Sequence, residues 1–208
     1  MKIHTIQQGS PEWFELRVGR ITGTSAAKCL ASKWLDFSDQ LAGERLTGMA
    51  DDQFDFYESE DMIRGKELEP IARQLYARQF NADIEVVGFI QPDDMPYFGM
   101  SPDGIYKDGT GAIEIKAPRI KNHLKYIRHD KIPTEYMAQI VSIFICSETI
   151  QFVDFISYCQ DCADWKMWVK RMNRADVTEL IKKYKDAITK TSIAADQLVE
   201  RVKLGETW

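Results

Sequence analysis

The chain has 208 residues, 44% hydrophobic and 28% charged, with a formal net charge of −5. That length supports one sizeable core or at most two small ones, and the acidic balance argues against a protein that coats nucleic acid through bulk charge. No apolar run approaches the ~18 residues of a membrane span, the N-terminus lacks a secretory core, and the four cysteines show no disulfide-framework spacing, so a reducing cytoplasm is expected.

Taken in order, Pro11 to Arg17 predicts a first helix with Ser10 as N-cap and Pro11 at the first helical position. Gly19 ends it, and Thr22 or Thr24 is placed to cap a second helix running to about Ala31. Arg17, Thr22, Thr24 and Ser25 then cluster at a helix N-terminus, which favours an anion; simple capping by the two threonines explains the same residues. Asp36 to Met49 predicts another helix. The acidic run of Asp51, Asp52, Asp55, Glu58, Glu60 and Asp61 predicts a loop. Glu60 to Phe80 carries Leu68, Ile71, Ala72, Leu75, Tyr76 and Phe80 at helical spacing, with Pro70 expected to kink or restart the helix. Glu69 lies at the border of that apolar face, either paired with Arg73 four residues on or reaching a site as a third carboxylate.

Ile84 to Ile90 and Tyr97 to Met100 predict strands leading into Ser101-Pro102-Asp103-Gly104, a turn. Asp108-Gly109-Thr110-Gly111 is a hairpin signal, and Ile113 to Ala117 reads as a short buried strand. Side chains alternate on a strand, so Glu114 and Lys116 share one face and Ile113 and Ile115 the other. The hairpin returns Glu114 close to Asp103, and two carboxylates and one ammonium converge at a sheet edge. Asp103 and Glu114 offer hard oxygen ligands suited to Mg²⁺, with Mn²⁺ as a substitute, and Lys116 beside the metal can orient or deprotonate a water. A bare Glu-x-Lys on a solvated face carries little meaning; the upstream aspartate turn gives it its weight. Together they resemble the Asp…Glu-x-Lys signature of the restriction-endonuclease-like nuclease superfamily.

Lys116, Arg119, Lys121, Lys125, Arg128 and Lys131 form a basic cluster, and the stretch after Lys116 reads as loop or irregular helix. Lys166, Lys170, Arg171 and Arg174 form a second cluster. Local basic linings on an acidic chain suit a groove or channel for DNA. Pro133 starts a helix to about Cys146 that carries the polar Gln139. Ile150 to Tyr158 and Trp165 to Arg171 predict strands. Asp176 is placed to cap a long helix to about Lys190, with a shorter one to Val202. Cys159-x-x-Cys162 lacks partners for zinc, and an iron–sulfur cluster drawing on Cys29 and Cys146 is not expected from the spacing. No repeat or linker appears, so residues 1–208 are expected to form a single α/β nuclease domain, a central mixed β-sheet flanked by helices.

The assembled blocks resemble the phage lambda exonuclease and YqaJ-type viral recombinase family. They are Trp13 with Leu16-Arg17-x-Gly19-x-Ile21-Thr22, Gly65-Lys66-x-x-Glu69-Pro70-x-Ala72-Arg73, Ser101-Pro102-Asp103-Gly104, Glu114-Ile115-Lys116-x-Pro118 and Tyr136-Met137-Ala138-Gln139. The resemblance implies digestion of linear duplex DNA from 5′ ends to leave 3′ overhangs for strand annealing. It implies metal binding by Asp103, Glu114 and the Ile115 carbonyl, a catalytic Lys116, and Glu69 as a further acidic site residue. Arg17, Thr24, Ser101 and Gln139 fall where the family holds the terminal 5′ phosphate, with Thr24 standing for a serine. A homotrimeric ring and a single-strand annealing partner are also implied. The competing expectations are a site-specific or structure-specific endonuclease of the same superfamily and a non-catalytic DNA-end-binding module.

Overall fold

The computed structural model describes residues 1–50 and 59–205; the part of the acidic run from Asp51 to Glu58 lies outside the described residues. The strands are β1 (Lys2–His4), β2 (Ile21–Thr22), β3 (Ile84–Glu85), β4 (Phe89–Gln91), β5 (Phe98–Gly99), β6 (Gly104–Tyr106), β7 (Gly111–Lys116), β8 (Phe152–Tyr158) and β9 (Met167–Asn173). The helices are α1 (Pro11–Arg17), α2 (Trp34–Thr47), α3 (Glu60–Phe80), α4 (Ile120–His129), α5 (Met137–Cys146) and α6 (Thr178–Leu204).

Five strands form a mixed sheet in the order β3-β6-β7-β8-β9, antiparallel except for the parallel β7–β8 pair. Strand β7 is central and buried from Gly111 to Ile115, as a strand covered on both faces must be. Ile113 and Ile115 pack with Leu68, Ala72 and Tyr76 of α3, while Ala112 belongs to the larger core with Ile140, Ile143 and Phe144 of α5. Helices thus flank both faces of a mixed sheet, the expected architecture. Two smaller pairs, antiparallel β1–β4 and parallel β2–β5, meet through reciprocal hydrogen bonds between Ile90 and Met100. No described helix is long and apolar enough to cross a membrane.

Several local expectations are corrected. Thr22 and Thr24 cap no α-helix: Thr22 lies in β2, and Ser25 precedes a 3₁₀ turn at Ala26–Leu30 with no side-chain cap. The Ser25 hydroxyl instead turns back to accept from the Thr22 amide at 2.8 Å. The single strand expected over Ile84 to Ile90 is two strands in different sheets. Gly88 lies between them, packed so closely that a Cβ there would fall 1.9 Å from the Ile6 carbonyl oxygen. Pro70 does not restart α3, which runs unbroken from Glu60 to Phe80; it sits on the exposed side, where water can take the carbonyl a proline leaves without a donor.

The basic stretch after Lys116 is a regular helix, α4, with His123 and Tyr126 buried beneath it. Asp176 does not cap the last helix. It lies in a 3₁₀ turn at Arg174–Val177 and accepts from Asn173 Nδ2 at 3.0 Å, and α6 runs unbroken through both expected helices.

Candidate active site

The β6–β7 hairpin brings the acidic residues together. Asp108 Oδ1 accepts from the Thr110 amide at 2.9 Å and its hydroxyl at 2.7 Å, and Gly109 takes φ +74° to close the turn. Pairing Gly104 with Ile113 sets Asp103 across from Glu114. Gly104 is needed there, because a Cβ would come 2.5 Å from Ile84 Cγ2 and 3.1 Å from Ile113 Cδ1. Asp103 Oδ2 accepts from the Ile115 amide at 2.5 Å. Lys116 Nζ donates to Glu114 Oε1 at 2.6 Å, with Glu114 only 1% exposed. The second oxygen, Glu114 Oε2, is buried without a hydrogen-bond partner.

Helix α3 contributes Glu69 and Arg73. The guanidinium of Arg73 donates to Glu69, and its Nε donates to the Asp103 carbonyl at 2.7 Å. Glu69 is paired with Arg73 and lies close enough to feel the charge of Glu114. The bond from Arg73 to the Asp103 turn is not visible in the sequence, where Arg73 serves only as the partner of Glu69. Lys116 also lies over the Tyr136 ring, 5.2 Å from its centroid, and Tyr136 stacks on Phe155.

A second group forms next to Ser101. The β2–β5 pairing sets Thr22 against Gly99 and carries the Thr22–Thr24 loop alongside Met100, while Thr24 Oγ1 lies 3.0 Å from Thr22 Oγ1. Trp13 links α1 to the same place: its Nε1 donates to Ser101 Oγ at 2.8 Å and to the Gly88 carbonyl at 3.1 Å, and the Ser101 hydroxyl donates to that carbonyl at 2.6 Å. Arg17 stacks on Trp13, its guanidinium carbon 3.9 Å from the ring centroid. Arg17, Thr24 and Ser101 therefore gather at one end of the small sheets, and Gln139 is half-buried in the first turn of α5. Trp13 is the element that sequence reasoning missed as a connector, though it stands in the first motif block.

The cysteines are dispersed. Cys29 lies in the 3₁₀ turn, Cys146 ends α5, and Cys159 and Cys162 occupy the β8–β9 connection; all four are free thiols.

The YqaJ-like viral recombinase domain model matches residues 12–149, which include every residue of both groups. The chain belongs to that family. Its structure is similar to an alkaline exonuclease, LHK-Exo, from Laribacter hongkongensis, at 30% identity, covering 94% of this chain and 97% of that one with a TM-score of 0.83. The same enzyme in complex with dAMP gives a TM-score of 0.82 at the same identity and coverage. A phage-related exonuclease from Haemophilus somnus 129PT shares the fold at 14% identity, covering 88% of this chain and 96% of that one, with a TM-score of 0.62. No curated protein matches the chain.

In this YqaJ-like domain neighbouring carboxylates disfavour the ionisation of Asp103 and Glu69. Burial pushes the Asp103 carboxyl well above its ordinary range, and the Glu114 and Glu69 charges push it further, against the opposing Lys116 charge and Ile115 amide. Glu69 is raised by burial, which the Arg73 charge only partly offsets. Burial alone would lower the Lys116 amine, but Glu114 and Asp103 outweigh it and hold it above the ordinary lysine value. Among the described residues no three His, Cys, Asp or Glu side chains stand ready as a ligand set. Each carboxylate is instead turned to a donor of the protein: Glu114 to Lys116, Glu69 to Arg73, Asp103 to the Ile115 amide. Crowded anionic oxygens, one of them buried and unpartnered, fit a hard divalent cation that takes few protein ligands and keeps its waters.

Proposed function

We propose that the protein is a Mg²⁺-dependent exonuclease that digests one strand of linear double-stranded DNA from its 5′ end and leaves 3′ overhangs for strand annealing. The observation that carries this reading is the buried Glu114, one oxygen on Lys116 and the other without a partner, beside an Asp103 that resists ionisation. Family membership and likeness to an alkaline exonuclease support the reaction class. Asp103 and Glu114, with the Ile115 carbonyl, would hold the metal, and Mn²⁺ would substitute. The bound cation supplies charge to the scissile phosphodiester oxygens and acidity to a water. Lys116, protonated in this arrangement, orients that water and offsets charge developing on the phosphate. Glu69 adds acidic charge at the site, and Arg73 keeps Glu69 and the Asp103 turn in place.

Arg17, Thr24, Ser101 and Gln139 would hold the terminal 5′ phosphate. A guanidinium stacked on Trp13 loses less freedom in turning its forked donors to a phosphate, and the hydroxyls would complete the cage, with Ser101 turning its proton from the Gly88 carbonyl. Gripping the end while cutting beside it makes end recognition and stepwise digestion one event. The test compares linear and covalently closed DNA, and then duplexes with 5′ phosphate or 5′ hydroxyl ends, using wild type and Arg17→Ala. An exonuclease spares the closed circle and prefers the 5′ phosphate. Arg17→Ala should shrink that preference roughly ten- to a hundredfold, the worth of a charge-assisted contact of about 1.5–3 kcal/mol. Equal slowing on both ends would show that Arg17 makes a general contact, and cleavage of the closed circle would sink the exonuclease reading.

A further inference from the structure

Helix α4 begins just after the Lys116 strand and contains no acidic residue from Ile120 to His129. Its buried side is fixed firmly. His123 is fully buried, with Nδ1 2.8 Å from Ser157 Oγ and Nε2 2.8 Å from the Trp165 carbonyl oxygen. Since a carbonyl only accepts, Nε2 carries a proton toward it, and Nδ1 and the Ser157 hydroxyl share the second hydrogen bond. Ser157 is the residue paired with Lys116 across β7 and β8. The helix is thus bolted to the strand position directly beside the candidate catalytic lysine, and Tyr126, also buried, fixes its rotation.

That anchoring leaves Lys121, Lys125 and Arg128 exposed, at the i, i+4, i+7 spacing that forms one stripe about 10 Å long. None of the three enters an ion pair among the described residues. The neighbouring basic residues differ: Arg119 is held by Asp61 at 3.0 Å, and Lys170 by Asp130 at 2.6 Å. The basic residues around α4 thus differ, some neutralised within the chain and three presented as cations in a row on a protein of net charge −5.

We infer that the Lys121–Lys125–Arg128 face of α4 docks the phosphate backbone of duplex DNA and guides it into the site, a role that rests on the proposed DNA exonuclease activity. Charge complementarity and the His123–Ser157 bolt carry it: a stripe rigid with respect to Lys116 fixes the backbone's approach to the metal-binding carboxylates. Leu124, exposed beside the stripe, gives the face an amphipathic character that an anionic bilayer would also suit, and the test separates the two.

The experiment measures affinity for a fluorescent duplex in EDTA between 50 and 200 mM salt, for wild type, Lys121→Ser/Lys125→Ser/Arg128→Ser, and a control Lys2→Ser/Lys183→Ser/Lys203→Ser of equal charge. Each phosphate contact contributes about 0.9 to the slope of log affinity against log salt. The α4 variant should lose up to about 2.7 of that slope, while the control keeps the wild-type value. Unchanged thermal stability and Mg²⁺ response show that the α4 variant is folded. An α4 variant with the wild-type slope, or a control that falls equally, overturns the inference while wild-type DNA binding upholds the exonuclease reading. Wild type that binds no duplex overturns both. Wild type that co-sediments with phosphatidylserine vesicles and ignores DNA assigns the face to a membrane instead.

Discussion

Asp103 makes the electrostatics of the site measurable without DNA. Its folded-state pKa, like that of Glu69, is raised above the unfolded value by burial and by neighbouring carboxylates. The native state therefore holds these protons at a pH where the unfolded chain has released them, from the ordinary carboxylate range near ~4 upward. This contribution to stability is present at low pH and is lost as pH rises through the folded values. In EDTA, Tm should fall less with rising pH in Asp103→Asn than in wild type. Mg²⁺ binding only the native site should raise Tm, and more so at higher pH as protons leave the same oxygens. Glu114→Gln should lose that increment; an undiminished Mg²⁺ response in both variants would move the metal elsewhere. Asp103→Ala, Glu114→Ala and Lys116→Ala should each cost roughly 10³-fold or more in digestion rate, several kcal/mol of transition-state stabilisation. Near-wild-type digestion by folded Lys116→Ala would remove the lysine from the mechanism.

Among the elements, the sheet is tied together by a polar cluster at Asp154 of β8. It is 2% exposed and accepts from Arg171 of β9 at 2.8 and 2.7 Å and from the Tyr76 hydroxyl of α3, which lies 2.7 Å from the Tyr106 hydroxyl of β6. Arg171→Met would leave that carboxylate buried and unpaired. Because Arg171 is half-exposed, the expected loss is about 3 kcal/mol, the low end for breaking a buried pair, measured by urea unfolding. The Mg²⁺ increment in Tm should survive, since the cluster touches neither Asp103 nor Glu114; a parallel loss of both would mean that it shapes the site.

This cluster was not legible in the sequence, because four residues on four elements share no spacing. Strand β7 was legible: Ile113 and Ile115 alternate with Glu114 and Lys116, and a turn precedes them. Helix α4 was not, since its buried face is His123 and Tyr126, too polar to register as an apolar stripe among so many cations. The break in Ile84 to Ile90 was hidden for another reason. Val86, Val87 and Phe89 favour a strand, and only the close approach of Ile6 to Gly88 separates the two sheets. The motif residues converged where the hairpin fixed them, though on the central strand β7 and not at a sheet edge; Trp13 and Arg73, whose roles depend on distant partners, did not declare themselves.

At the scale of the whole molecule, an acidic nuclease has to retain a polyanion. Bulk attraction cannot do it at net charge −5, so retention must come from locally basic surface or from geometry. A ring supplies the second: copies joined head to tail through one heterologous interface close into a cyclic oligomer, which encircles the duplex and turns each copy's basic face inward. The homotrimer that the family resemblance implies would do this, and it would hand the 3′ overhang to a single-strand annealing partner without releasing the duplex. Multi-angle light scattering at digestion concentrations should give three times the 24.0 kDa chain mass, unchanged on tenfold dilution. Adding salt should weaken DNA binding steeply while leaving the oligomer mass constant, because the DNA contacts are ionic and the closed interface would not depend on them. A stable 24.0 kDa species that digests linear duplex at the full rate would remove the ring and leave the charged face of each chain to retain DNA by itself.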